Sequence, residues 1–574
     1  MTSYAASPAR DRARRGAAGR VEDLLAVLSA SHGRACAALL ALGLICFLPG
    51  FVSLQPMDRD EPRFAQASKQ MLETGDLVDI RFQGEARHKK PVGIYWVQAA
   101  SVAAAEALGV PEARRTIALY RIPSLLGALA AGLLTYWAAL AVLPRRGALL
   151  AAALFTACVM LSAEARLAKT DALLCACAAA AMGGLARAFL RPEPLSRRGG
   201  ALFWVFFALG VLVKGPMVPL FVGLAALVLS WRARSARWLL RLRPLPGLAL
   251  TLLVVAPWFV AIAWRTAGAF YGEAVGHDML GKVGGGAERH WGPPGAYALA
   301  FFATFWPGAA FAALAIPFAW RERRTEAVAF LLAWIVPAWL LFEAVPTKLP
   351  HYVLPLMPAV AILTVLAALR GGLDPARRGA VAVASLAALI PAGIAGGLVF
   401  AAWHFDRSVP LAALPLLLAA CGVAALAVAA FARGAVEAAL AIAVAASALL
   451  APAVFGLTQP VLASLKVSPR LAAIRDGLGC ADPKVASLGY REPSLVFLIG
   501  TDLATPATGA ETAAFLREPG CRLAFVEDRS AAEFAAAATA SGLAPRPVGR
   551  VTGFNINGGK PVGLSAYASG TASP

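Results

Sequence analysis

Charge is scarce in this 574-residue chain: Asp, Glu, Lys and Arg make up 15% of it against 59% hydrophobic residues, a balance that excludes an ordinary soluble enzyme. The eight cysteines offer no CxxC or other metal-ligand spacing, which excludes a zinc ribbon. Six of them (Cys36, Cys46, Cys158, Cys175, Cys177 and Cys421) fall inside apolar runs, where a thiol behaves as a small hydrophobe, so no cysteine nucleophile is on offer. No Walker motif, and no GxGxxG set between a strand and a helix, supplies a nucleotide pocket. Acidic residues are the scarcer sign, 33 against 53 Lys and Arg, for a net charge of +20. A basic excess of that size suggests nucleic acid, but the charges sit in short clusters between apolar stretches of roughly 20 residues, the pattern of membrane topology.

An arginine-rich tail (Arg10, Arg12, Arg14, Arg15, Arg20, Arg34) precedes an apolar run at 35–54 with no small-residue cleavage site after it, which reads as an uncleaved first helix with its tail in the cytoplasm. Twelve further runs follow, at 117–143, 147–162, 171–190, 201–214, 216–231, 246–264, 296–319, 326–343, 352–369, 379–402, 410–432 and 436–457, for thirteen in all. Arginine clusters at 145–146, 187–198, 232–243, 321–324, 370–378 and 433 all fall on the side of the tail, which the positive-inside rule makes cytoplasmic. The opposite side receives the long 55–116 loop, the short segments 163–170, 214–216, 265–295, 344–351 and 403–409, and the C-terminal tail. The stretch 91–110 is long enough to span, yet a span there would invert every later cluster; with Gln98 and Glu106 as further signs, it is expected to lie along the interface, as is the helical segment Glu61–Leu72. Lysine is sided as well: Lys69, Lys89, Lys90, Lys169, Lys214, Lys282 and Lys348 all fall in outside segments, and a compact ammonium suits phosphate.

From about Thr458 hydrophobicity drops and the charges nearly balance, 11 Lys and Arg against 9 Asp and Glu. A small soluble domain is expected there, with strands at Val485–Leu488, Leu495–Ile499 and Leu523–Val526 alternating with helices at Arg470–Leu478, Ala510–Arg517 and Ser530–Ser541, an α/β order. Cys480 and Cys521 fall in it, outside by parity, either bridged or as two buried thiols.

The first outside loop opens with Asp58-Arg59-Asp60-Glu61-Pro62-Arg63, a dense charge cluster at a membrane surface. Taken alone its DxD is a weak metal signal, and a solvated helix start explains it equally well. Each other candidate has its plain counterpart: an interfacial lysine for Lys90, a loop or turn charge for Lys282, Lys214 and Lys348, a helix N-cap for Asp171, an aromatic-belt residue for Tyr352.

The run DEPRFAQASKQMLETGDLVDIRFQGEARHKKPVGIYW resembles the first periplasmic loop of the glycosyltransferase family 39 membrane enzymes, in the bacterial aminoarabinose-transferase branch related to protein O-mannosyltransferases. RLAKTDALL at 166–174, VKGP at 213–216, GHDMLGKV at 276–283 and PTKLPHYVLPLMP at 346–358 agree with it in order. The resemblance implies an all-α polytopic membrane protein of the GT-C fold with about 13 transmembrane helices and a small C-terminal α/β domain. In this chain it divides into a basic tail at 1–34, a transmembrane domain at 35–457 and a periplasmic domain at 458–574. It implies a multi-pass protein of the bacterial inner membrane, N-terminus cytoplasmic and C-terminus periplasmic. The activity it implies is inverting transfer of a sugar from an isoprenyl (undecaprenyl) phosphate donor to lipid A or another envelope acceptor, with no nucleic-acid partner.

By motif, Asp60 and Asp171 take the places of the family's catalytic carboxylates, and Lys90, Lys282, Tyr352 and Arg63 those of the donor phosphate site; Glu61, Lys89, Lys348 and His351 are further candidates. Cations there stabilise the phosphate that leaves when the anomeric C–O bond breaks. One departure is plain: the family's E-K-P reads Lys89-Lys90-Pro91, and a lysine cannot replace a glutamate that in some relatives shares a metal with a histidine. His277 and His290 are thirteen residues apart with no carboxylate partner pattern, so no cofactor and no essential metal is expected. Two rivals remain. A protein O-glycosyltransferase shares the fold, and a lipid-sugar flippase shares the helix number but would carry ionisable groups at helix midpoints.

Overall fold

In a computed structural model of the chain, residues 17–57, 59–281, 291–480 and 482–569 are described. Each of the thirteen apolar runs contains a helix, the conformation that satisfies every backbone polar group within one segment. Eight helices among the described residues are long and apolar enough to cross a membrane: Ile117–Ala139, Asp171–Leu190, Pro244–Arg265, Glu326–Ala344, Pro350–Leu369, Ala380–Asp406, Leu414–Ala432 and Val436–Val461. A ninth candidate is the pair Ala18–Leu28 and His32–Phe47, bent by 116°.

Two runs that read as single spans are broken. The first splits into Arg145–Thr156 and Val159–Glu164, the second into Ala296–Thr304 and Ala309–Arg321. Pro307-Gly308 interrupts the second, and the breaks meet, with the Val159 amide donating to the Trp306 carbonyl at 3.0 Å.

Small residues let the helices at the centre approach closely. A Cβ on Gly127 would stand 2.8 Å from the Leu173 backbone, so Ile117–Ala139 lies directly against the start of Asp171–Leu190. The outer helices Pro244–Arg265 and Ala380–Asp406 leave Leu252, Leu253, Leu389 and Phe400 uncovered, an apolar surface suited to lipid.

The first loop folds into the helix Asp60–Thr74, a hairpin of β1 (Arg81–Phe82) and β2 (Glu85–Ala86), and the helix Gly93–Ala107. Gln98 is wholly buried, accepting from Ser68 Oγ at 2.7 Å and donating to the Ala168 carbonyl at 3.0 Å. That amide, read from sequence as a sign of the membrane interface, is a clasp between the loop and the helical core.

The C-terminal region holds a four-stranded sheet in the order β3-β4-β6-β5, from β3 (Lys484–Leu488), β4 (Arg522–Glu527), β5 (Arg546–Asn555) and β6 (Lys560–Ala568). β3 and β4 are parallel and the other pairs antiparallel. The expected helices appear as Val467–Asp476, Gly509–Arg517 and Ala531–Ala540.

The segment Leu495–Ile499, expected as a strand, is the helix Pro493–Ile499: a five-residue apolar run has no period to decide its type, and Pro493 opens the first turn. The hairpin β5–β6 was not foreseen, because Pro547, Gly549, Gly553 and Gly563 dilute its alternation. Cys480 and Cys521 are joined in a disulfide, which decides between the two states left open by sequence. The Pro493–Ile499 helix seats this region on the first loop, where Lys69 donates to the Phe497 carbonyl at 3.4 Å, and on the Ile117–Ala139 helix, its Phe497 ring edge-on to Tyr120 at 5.3 Å.

Candidate active site

Asp60 and Glu61 start the Asp60–Thr74 helix, where carboxylates complement unpaired amides, yet the two face different ways. Glu61 turns inward and is fully buried. Arg121 donates to both of its oxygens, at 2.7 and 3.0 Å, and the amides of Met57 and Ala168 donate at 2.6 and 2.9 Å. Its acceptor positions are filled, so Glu61 locks the loop and is not presented for chemistry. Asp60 stays half exposed, with Arg87 Nη2 3.7 Å away. The Arg87 guanidinium lies over the Phe64 ring at 5.0 Å, and behind it the Tyr95 phenol is pushed up by burial. Asp58 lies outside the described residues, so the DxD reading stands on Asp60 alone.

Lys90 is positioned by a glycine contact. A Cβ on Gly93 would lie 2.7 Å from the Leu212 carbonyl carbon and oxygen, so only glycine lets the Lys89-Lys90-Pro91-Val92-Gly93 segment rest on the end of the Arg197–Lys214 helix. Lys90 Nζ then meets Asp278 Oδ2 at 2.5 Å, in the helical segment Gly272–Leu280.

A second cluster lies where three helix ends converge. Asp171 is the first residue of its helix, Thr170 holds the cap position, and the Asp171 carboxylate goes to Lys214 Nζ at 2.5 Å. It is therefore no cap, and the Lys169 ammonium, which pairs with Glu164 at 3.3 Å, also lies close enough to act on the Asp171 carboxylate. His351 lies between the two carboxylates, 3.7 Å from Glu164 and 3.8 Å from Asp171. The Lys214 ammonium sits 5.3 Å from the centre of the Tyr352 ring, and Tyr352 lies within electrostatic reach of Asp171, Asp278 and Asp60. Tyr352 thus belongs to this second cluster, packed edge-on against His351 at 5.1 Å.

Other candidates fall elsewhere. Lys348 donates to the carbonyls of Phe342, Glu343 and Val345 at 2.8–3.1 Å, closing the C-terminus of the Glu326–Ala344 helix, a structural role. Arg63 and Lys89 are partly buried. Lys282 and His290 lie outside the described residues, and His277 is exposed.

Among the described residues, Glu164, Asp171 and His351 form the trio whose donor atoms come within 4.8 Å of one another, close enough for a metal ion. Lys169 and Lys214 already oppose the two carboxylates, so the charges close without one. Sequence reading missed Asp278, Glu164 and Arg87. Asp278 stood inside the GHDMLGKV motif, and Glu164 was a lone acid at the end of an apolar run.

This geometry can be set beside known proteins. The profile of the family described as dolichyl-phosphate-mannose-protein mannosyltransferase matches residues 36–270. The undecaprenyl phosphate-alpha-4-amino-4-deoxy-L-arabinose arabinosyl transferase of Erwinia tasmaniensis is 28% identical over 312 residues, 53% of this chain and 54% of that one. Its namesake from Pseudomonas aeruginosa strain LESB58 is 29% identical over 309 residues, again 53% of this chain and 54% of that one. The chain thus spans about half the length of the curated relatives it matches. The crystal structure of ArnT from Cupriavidus metallidurans bound to undecaprenyl phosphate superposes with a TM-score of 0.72 at 18% identity, covering 94% of this chain and 99% of that one. The protein is therefore a polytopic, largely helical membrane protein that is similar over about half its length to these arabinosyl transferases and shares the fold of ArnT.

Proposed function

We propose that this protein is an inverting glycosyltransferase that moves a sugar from undecaprenyl phosphate, or a similar isoprenyl phosphate, to lipid A or another envelope acceptor. The reaction takes place at the periplasmic face of the inner membrane. The observation that carries this reading is the meeting of Asp171, Lys214 and Tyr352, with Asp60 and the Lys90 partner Asp278 within electrostatic range of Tyr352, in a fold shared with a protein that binds undecaprenyl phosphate. Such a donor needs cations around its phosphate and a lipid-accessible flank, and the uncovered outer helices supply the flank.

In this reading Lys90, Lys282 and Arg63 hold the donor phosphate, and the Tyr352 hydroxyl donates to it. The anomeric C–O bond breaks as the acceptor oxygen attacks from the opposite face, and the electron pair stays on the phosphate, where the ammonium groups stabilise it. Asp60 orients the acceptor or sugar, and serves as general base only for a hydroxyl acceptor, since a phosphate acceptor is already ionised. Asp171 aims Lys214 and His351. The N-terminal tail lies in the cytoplasm, residues 35–457 form the membrane domain and 458–574 the periplasmic one.

Mass spectrometry of lipid A and core oligosaccharide from the source strain tests the assignment, with the gene present, deleted, and restored as Asp60→Asn. Loss of one sugar increment on deletion, not rescued by Asp60→Asn, is the expected result. An unchanged profile after deletion overturns lipid A and core as acceptors.

A further inference from the structure

Four arginines are buried among the described residues: Arg87, Arg121, Arg166 and Arg475. Three of them brace the backbone. Arg121 donates to the carbonyls of Phe51, Leu54 and Gln55, Arg166 to those of Cys46, Pro49 and Ser162, and Arg475 to those of Leu498 and Ile499. The Arg87 side chain donates to no carbonyl among the described residues, and its buried Nε has no hydrogen-bond partner there. A buried guanidinium needs a compensating charge, and the carboxylate within ion-pair distance of this one is Asp60, with Nη2 3.7 Å from Oδ1.

The surroundings turn Arg87 toward Asp60. Its amide donates to the Ile80 carbonyl at 2.7 Å, and the next side chain, His88, meets Asp79 at 2.8 Å, so the chain leaving the β1–β2 hairpin is fixed. The guanidinium lies over the Phe64 ring, which the wholly buried Tyr95 ring supports at 5.3 Å. Phe64 follows Asp60 by four residues, about one turn of the same helix, so a cation resting on that ring faces Asp60. Among the described residues nothing hydrogen-bonds to the Asp60 carboxylate, and its side chain is 46% exposed. At 3.7 Å the guanidinium attracts this carboxylate without taking a lone pair, whereas the acceptor positions of Glu61 are filled. Both Asp60 oxygens stay open to a substrate.

From this contrast we infer that Arg87 is the positioning residue of Asp60, which fixes the direction and charge of that carboxylate before substrate arrives and leaves its oxygens free to meet the substrate. The inference rests on the transferase reading above. Its effect falls on transfer, through Asp60, and not on the hold over the donor phosphate.

The test restores the deletion strain with wild type, Arg87→Met or Arg87→Lys and follows the rate at which lipid A and core gain the sugar increment. Each full-length protein is also purified in detergent, titrated with undecaprenyl phosphate and melted. Arg87→Met is expected to slow the gain by about tenfold or more with undecaprenyl phosphate binding unchanged, and Arg87→Lys, which keeps the charge, to recover part of the rate. Arg87→Lys and Phe64→Leu, which removes only the ring under the guanidinium, keep the test open if Arg87→Met fails to fold; Phe64→Leu is expected to slow transfer as well. Weaker undecaprenyl phosphate binding in Arg87→Met places the guanidinium on the donor phosphate and overturns the proposal. So does an unchanged rate, or a loss that follows a lowered melting point and is not recovered by lysine. A deletion that changes no sugar increment overturns the transferase reading, and this inference falls with it.

Discussion

Glu61 and Arg121 meet in a two-pronged ion pair, Nε to Oε1 at 2.7 Å and Nη2 to Oε2 at 3.0 Å, with neither side chain exposed. Arg121 also donates to the carbonyls of Phe51, Leu54 and Gln55 at 2.9–3.0 Å, which ties the end of the first membrane run to the first loop. Removing one partner strands a buried charge, so Glu61→Ala is expected to cost roughly 3–5 kcal/mol. Replacing both residues with apolar ones of similar size costs less than replacing one. Thermal unfolding of the purified protein in detergent checks both statements, and a single Glu61 variant as stable as the wild type contradicts them.

Lys90 and Asp278 call for a different experiment, because their pair lies in the proposed donor site. Lys90→Ala is expected to lower turnover by about 10²–10³ with little change in folded yield, the usual effect of removing one preplaced charge stabiliser. Asp278 competes with the donor phosphate for the same ammonium, so Asp278→Asn is expected to lower the donor KM. Steady-state kinetics on a donor titration decides, and a raised KM in Asp278→Asn means that the carboxylate holds Lys90 in place instead.

Of the residues the family motifs pointed to, Asp171 lies with Lys214 and Tyr352, Lys90 meets Asp278 and Asp60 faces Arg87, while Lys282 lies outside the described residues. What the motifs did not carry was pairing. Lys169 is two residues from Asp171 in the chain yet binds Glu164, while the partner of Asp171 arrives from Lys214, forty-three residues on. That choice is made by a backbone approach between helices at Gly93 and Gly127, and a glycine in a sequence does not say which helix it lies against. Hydropathy marked the runs well, because burial in lipid and burial in protein ask for the same residues. For that same reason it did not separate continuous spans from the broken ones at 157–158 and 305–308. Glu61 and Lys348 show the converse: both are charged and near the site, and both are spent on holding the backbone.

Asp171 and Lys214 are buried together at 2.5 Å, with side chains 6% and 11% exposed. Asp171→Asn leaves the ammonium without its counter-charge and His351 without one of its two carboxylate neighbours. Turnover is expected to fall by about 10² or more, and the variant should also melt earlier. The double variant Asp171→Asn with Lys214→Met removes both charges and is expected to regain stability without activity. Recovery of activity in the double variant sinks the catalytic assignment of this pair.

The Cys480–Cys521 bridge closes a 41-residue separation across the starts of the parallel strands β3 and β4. Loop-closure entropy for a loop of that size puts its contribution at about 4 kcal/mol. Cys480→Ser is expected to destabilise the C-terminal region by up to that amount, and added reductant to lower the melting point of the wild type but not of the variant. Thiol labelling of unfolded protein with and without reductant checks the bridge itself.

Asp76 gives the first loop an acid limit. Its carboxylate accepts from the amides of Val78 and Asp79 at 2.9 and 3.1 Å and from Arg265 at 3.1 Å, which pins the turn after the left-handed Gly75 to the end of the Pro244–Arg265 helix. Burial works to raise its pKa, but the two amides and the guanidinium together outweigh burial and leave it below the usual carboxylate value. Between the lowered and the ordinary value the unfolded chain binds a proton that the folded one does not. The stabilisation is therefore complete above about pH 4 and is lost as pH falls through the lowered value. Melting curves of the wild type and Asp76→Asn should differ at pH 6 and converge toward pH 3. A difference that persists unchanged at pH 3 means that the carboxylate's charge does not hold the turn.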